Sequence, residues 1–124
     1  MRKKIVAGNW KMNMSSESAK EFALGLNQSD WPADVESIIA APSVYLDQFS
    51  KTSTVAKASG QNCYTEPSGA FTGEISVGML EDVGATHCLV GHSERREYFK
   101  EDGDFLKGKV DALLAKGITP IYCC

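Results

Sequence analysis

No run in this 124-residue sequence is apolar enough to cross a bilayer, which takes roughly 20 consecutive residues. Basic residues do not dominate either. Thirteen Lys and Arg stand against 16 Asp and Glu, for a net charge of −3, so the basic footprint of a nucleic-acid binder is missing. Behind Met1-Arg2-Lys3-Lys4 the apolar stretch is only Ile5-Val6-Ala7, short of the about 7–15 residues of a secretory signal core. A cytoplasmic protein is expected. The four cysteines form no C-x-x-C pair, and the two histidines, His87 and His92, do not sit at zinc-ligand spacing. Cys63, Cys88, Cys123 and Cys124 therefore read as reduced thiols, with no metal centre expected. Repeats of solenoid length and low-complexity tracts are also absent.

What is present is the composition of a globular chain, 43% hydrophobic and 23% charged, of a length suited to a single domain over 1–124. Short β-rich apolar runs alternate with amphipathic segments. Strands are expected over Lys4–Gly8, Val35–Ala41, Thr54–Gln61, Cys88–Val90 and Thr119–Cys124. Helices are expected over Ser16–Leu26 (stripe Ala19, Phe22, Ala23, Leu26), Val44–Ser50 and Glu74–Val83 (Ile75, Met79, Leu80, Val83). A short helix over Ser93–Phe99 precedes a longer one over Gly103–Lys116, with Leu106, Val110, Leu113 and Leu114 as its stripe and Gly117 closing it. Asn62–Gly73 is a long loop carrying Gly, Pro and Ser, of the kind that usually serves a function. The order β-α-β-α-β-α-β-α-β calls for an α/β fold with right-handed crossovers and a parallel sheet. Periodicity leaves open whether that sheet is doubly wound or part of a barrel.

In either architecture the reacting groups gather at the C-terminal ends of the strands. Gly8-Asn9-Trp10-Lys11-Met12-Asn13 follows the first strand. Lys11 supplies a fixed positive charge and Asn9 an uncharged amide donor, a pairing able to bind an anion and polarise a carbonyl. Taken alone, Lys11 would read as a solvent-exposed lysine, and Trp10 reads as a packing anchor. Gly91-His92-Ser93-Glu94-Arg95-Arg96 follows the fourth strand. His92 enters a helix whose positive dipole end opposes protonation, and a neutral imidazole there can donate to a developing oxyanion. Alone it could equally be a capping or packing histidine.

Together, these two motifs resemble the triosephosphate isomerase family. Gln61-Asn62-Cys63-Tyr64 and Gly69-Ala70-Phe71-Thr72-Gly73-Glu74-Ile75-Ser76 are also similar to that family's third loop. The resemblance runs from Ile5 to Cys124. It implies a partial TIM (β/α)8 barrel, a parallel half-barrel, and not an open sheet. It implies substrate-binding roles for Asn9 and Lys11. For His92 it implies an electrophile that shuttles protons between two substrate oxygens. Glu94 corresponds to a buried acid near the lysine and Ser93 to a serine that contacts the catalytic base in the empty enzyme. Thr72 corresponds to the tip of a loop that enters a neighbouring subunit and supports its asparagine and lysine. Glu74 and Arg95 correspond to a structural ion pair, and Cys123 to a structural cysteine behind the site. The implied reaction interconverts dihydroxyacetone phosphate and D-glyceraldehyde 3-phosphate through an enediolate, without metal or organic cofactor. The family is itself the known example of a neutral histidine working with a glutamate base.

That base follows the family's sixth strand, and a barrel of this type needs about 250 residues. The lid loop and the phosphate-binding loops also lie in the family's second half. The expectation is therefore a chain inactive alone, which works with a complementing C-terminal half or a like chain. The alternative is a noncatalytic half-barrel module that self-assembles. Gly103 departs from the family pattern, standing where an acidic residue is usual.

Overall fold

Strands and helices alternate along the chain in the computed structural model, which describes residues 2–124. The elements are β1 (Lys4–Asn9), α1 (Ser16–Asn27), β2 (Val35–Ala40), α2 (Ser43–Thr52), β3 (Ala56–Gly60), α3 (Val77–Asp82), β4 (His87–Val90), α4 (Ser93–Tyr98), α5 (Gly103–Ala115) and β5 (Thr119–Tyr122). The strands form one parallel sheet in the order β1-β2-β3-β4-β5, curled into part of a barrel. Register runs Gly8 to Ile39, Ile39 to Ala58, Gly60 to Cys88 and Val90 to Tyr122. Helices return the chain between strands, as parallel pairing requires. No helix among the described residues is long and apolar enough to cross a membrane.

Local chemistry sets the helix ends. The Ser15 hydroxyl accepts from the Ser18 N–H at 3.1 Å while the Ser15 N–H donates to the Ser18 hydroxyl at 2.9 Å, a capping box for α1. Asp102 caps α5 by accepting from the Phe105 N–H at 2.9 Å. At the other end Gly117, at φ +71°, donates to Leu114 and Ile118 donates to Leu113. This is a Schellman closure whose left-handed position suits glycine.

The core lies between the sheet and its helices. Ile39, Ala58, Cys88 and Val90 pack against Ala23, Leu46, Phe49, Leu80, Leu106 and Leu113. Three stripe residues depart from expectation: Phe22, Met79 and Leu114 are exposed, whereas their neighbours Ala23, Leu80 and Leu113 are fully buried. Adjacent helical residues point about 100° apart, so a single sheet on one side buries one of each pair. Phe22 still meets Trp10 edge to face, with centroids 5.4 Å apart. The third helix starts at Val77 and not Glu74, because Ser76 caps it by accepting from the Met79 N–H at 3.1 Å. The third strand is shorter than expected at both ends. Ser53 ties Ala56 into a turn before it, and Gln61 leaves the ladder after it.

The two outer strands, β1 and β5, are each bonded on one side only. Ile5 and Val6 are each 54% exposed, while every residue of the inner strand β4 is buried.

Candidate active site

At the C-terminal ends of the strands a cavity of about 680 Å³ opens, lined among others by Asn9, Lys11, Gln61, Glu74, His92 and Glu94. Asn9 is the last residue of β1 and Gln61 directly follows β3. His92 follows β4 after Gly91, which turns the chain at φ +73°. A Cβ on Gly91 would lie 2.9 Å from the Arg96 guanidinium and 3.1 Å from Leu106. Only glycine fits that turn, and the turn delivers His92 to the cavity.

Lys11 stands at φ +53°, left-handed backbone that disfavours any residue with a Cβ. Its amide N–H donates to Asn9 Oδ1 at 2.9 Å, and its carbonyl accepts from Gln61 Nε2 at 2.8 Å. Gln61 Nε2 also lies 3.3 Å from Asn9 Oδ1 and 3.3 Å from the Ala40 carbonyl. The Lys11 ammonium donates to Glu94 Oε1 at 2.7 Å, and the Glu94 side chain, expected to be buried, is 43% exposed because it sits at the open mouth of the cavity. That hydrogen bond, aided by the lysine and histidine charges nearby, holds the Glu94 carboxyl below the usual carboxylate range.

His92 is the N-cap of α4. Its Nδ1 accepts from the Glu94 N–H at 3.2 Å. The network thus assigns the lone pair to Nδ1 and, in the neutral ring, the proton to Nε2. Glu94 Oε2, 3.5 Å from Nδ1, is too distant for a strong hydrogen bond. The arrangement offers a lysine cation, an imidazole N–H donor and an amide within one cavity.

The remaining candidates divide. Ser93 opens α4 beside His92 and is exposed, as is Thr72 on the loop between β3 and α3. Cys123 continues the pairing of β5, donating from its N–H to the Val90 carbonyl at 2.9 Å. Its carbonyl accepts from Arg96 Nη2 at 2.6 Å. Burial pushes its thiol pKa up. The expected Glu74–Arg95 ion pair is not formed within the chain, since Arg95 Nε donates to Glu101 at 3.0 Å instead. The Glu101 side chain is almost wholly buried and must be neutralised, whereas Glu74 is exposed and solvated. Among the described residues no three His, Cys, Asp or Glu side chains converge to hold a metal ion.

Reading the sequence missed Gln61, Glu101 and Lys109 as individual residues. Gln61 had a usable signal, since it directly follows a strand just as His92 nearly does. Lys109 had none, because a lysine on an amphipathic helix reads as solvated. It is buried in α5 and pairs with Glu101 and with Asn62 Oδ1, the latter at 2.8 Å. Burial raises the Glu101 carboxyl, but Lys109 and Arg95 together bring it below its ordinary value.

Residues 4–124 match the family model described as Triosephosphate isomerase. The triosephosphate isomerase of Cytophaga hutchinsonii is 46% identical over 100% of this chain and 51% of its own length. That of Lactobacillus delbrueckii subsp. bulgaricus is 44% identical over 99% of this chain and 50% of its own. That of Ligilactobacillus salivarius is 43% identical over 100% and 51% respectively. The chain thus spans about half the length of the curated relatives it matches. With motif, strand-end placement and family match in agreement, the chain belongs to the triosephosphate isomerase family.

Proposed function

We propose that this chain supplies the substrate-gripping and electrophilic side of a triose phosphate isomerase site. The substrates are dihydroxyacetone phosphate and D-glyceraldehyde 3-phosphate. The observation that carries the reading is the hydrogen bond from the Glu94 N–H to His92 Nδ1, which leaves Nε2–H as a donor in the cavity that Lys11 and Asn9 also line. A base removes a proton from the carbon next to the carbonyl, the C–H bonding pair becomes the second bond between the two carbons, and the carbonyl π pair moves onto its oxygen. His92 and Asn9 donate hydrogen bonds to that oxygen, and the Lys11 ammonium stabilises its charge. The Nε2 proton of His92 passes to that oxygen and is replaced by the proton of the adjacent hydroxyl, which becomes the new carbonyl as the abstracted proton returns to the former carbonyl carbon. Glu94 holds the lysine in place.

Neither carboxylate of the cavity suits the role of base. Glu94 is engaged by Lys11 at 2.7 Å, and its lowered pKa weakens it. Glu74 lies on the exposed loop before α3. The base comes in this reading from another part of a complete isomerase, in the cytoplasm, and the isolated chain turns over negligibly. Ser93 would touch that base, and Thr72 would reach a second copy. The single-sided edges of β1 and β5 favour a partner that extends the sheet, whether a complementing half or another copy. They equally suit a noncatalytic self-assembling half-barrel.

Titrating the isotopically labelled chain with dihydroxyacetone phosphate tests the reading. Shifts confined to Asn9, Lys11 and His92, and lost in His92→Gln, are expected. Absence of any shift at millimolar ligand defeats it. A positioned base contributes roughly 10²–10⁴-fold. Turnover by the isolated chain within about a hundredfold of a complete family member would therefore show that it holds its own base.

A further inference from the structure

Gln61 directly follows β3, and its amide meets three acceptors from two other strand ends: Lys11 O at 2.8 Å, Asn9 Oδ1 at 3.3 Å and Ala40 O at 3.3 Å. Lys11 is the residue that needs holding. Its φ of +53° is populated reluctantly by a non-glycine residue and persists only where the surroundings impose it. The peptide groups on both sides of this strained residue are tethered. Its N–H donates to Asn9 Oδ1 at 2.9 Å, and its carbonyl accepts from Gln61.

The same contacts decide how Asn9 is presented. Its Oδ1 faces two donors, the Lys11 N–H and Gln61 Nε2. An amide oxygen has two lone pairs, so both are used, and Nδ2 remains as the group available to an oxygen in the cavity.

We propose that Gln61 is a positioning residue: its side-chain amide holds Lys11 in the left-handed conformation and commits Asn9 to offering its Nδ2 donors to the substrate. This rests on the reading of Asn9 and Lys11 as substrate contacts. It adds that their geometry is set by a third side chain that touches no substrate. The competing role is a tie between the ends of β1, β2 and β3, to which the Ala40 contact would belong. A mere tie predicts lost stability without a change in Lys11.

Two variants of the chain separate these roles. Gln61→Met keeps the volume and removes the amide, while Gln61→Glu turns a donor into an anion facing three oxygens. In each, nuclear magnetic resonance reads the Lys11 backbone through its amide–Hα coupling and Cα shift, and reads Asn9 through its side-chain amide protons. The expected result is that Lys11 leaves the left-handed region and the Asn9 amide signals move. The amides of His87 and Leu89 in β4 should stay where they are. Affinity for dihydroxyacetone phosphate should fall about tenfold, the equivalent of one hydrogen bond to a charged ligand. If Lys11 keeps its left-handed signature in both variants, the proposal is overturned. Failure of the isosteric Gln61→Met to fold would overturn it too, making Gln61 a structural tie. If Lys11 moves in the variants but even the native chain binds no triose phosphate, the positioning role stands and the substrate reading falls.

Discussion

Two lysine–glutamate pairs in this chain share the same chemistry and differ in almost everything else. Lys11 and Glu94 meet at 2.7 Å with side chains 51% and 43% exposed. Lys109 and Glu101 meet with both side chains 1% exposed. Water screens the first pair, so it adds little to stability, and its ammonium can be lent to an anionic ligand. The second pair is sealed between α5 and the loops before it, where an unpaired charge would be severely penalised. Arg95 and Asn62 accordingly complete it, and among the buried side-chain polar atoms of the described residues only Glu101 Oε1 lacks a hydrogen-bond partner. The two histidines repeat the lesson at opposite ends of one strand. His92 lies past the end of β4 and opens onto the cavity. His87 begins β4, buried, with Nε2 3.4 Å from Glu36 and Nδ1 2.7 Å from the Thr86 hydroxyl. Glu36 also pairs with Lys3 and, at 3.3 Å, with Lys57. Its charges are spent on one another, which marks the lower end of the sheet as scaffold.

The largest test of this contrast is Lys109→Met. It leaves Glu101 buried without its nearest cation, and unfolding in urea should show a loss of about 3 kcal/mol. Adding Glu101→Gln should recover much of that loss, because no charge then remains buried. Lys11→Met should barely shift the urea midpoint, and a large shift there would erase the distinction between the pairs.

Next in size is Lys11→Gly. Glycine accepts φ +53° without a Cβ penalty, so stability should rise by about 1 kcal/mol while the proposed anion grip is lost. A stability loss would mean that the left-handed turn stores no strain.

The smallest effect is a pH dependence from His87. Burial lowers its pKa below the ordinary histidine value, with Glu36 opposing and Lys57 and Lys3 reinforcing the shift. The unfolded chain therefore binds the proton first. Stability should fall as pH drops below about 6.5 and level off beneath the folded-state pKa. A His87→Gln variant should lose that slope, and a His92→Gln variant should keep it.

Much of the fold was legible in advance, because period and turn chemistry are local. Ser16–Leu26, Val35–Ala41 and Gly103–Lys116 each lie within a residue or two of the observed elements. Misjudged boundaries came from single capping side chains, Ser76 before α3 and Ser53 before β3, which no periodicity reveals. The site was legible as two short motifs at strand ends, but not as a network. The Gln61 link to Lys11 spans 50 residues of chain, and the Lys11 link to Glu94 spans 83.

By itself, the sequence determined the alternation of strands and helices, the parallel sheet it demands, and the family that its strand-end motifs carry. These depend on neighbours along the chain and on residue identity. The tertiary structure alone decided which lysine is buried and which histidine faces the cavity, and it paired Arg95 with Glu101. It also placed Lys11 in left-handed backbone beneath Gln61. Each of those outcomes depends on the charge, volume and solvent around a side chain, and residues far away in sequence supply all three.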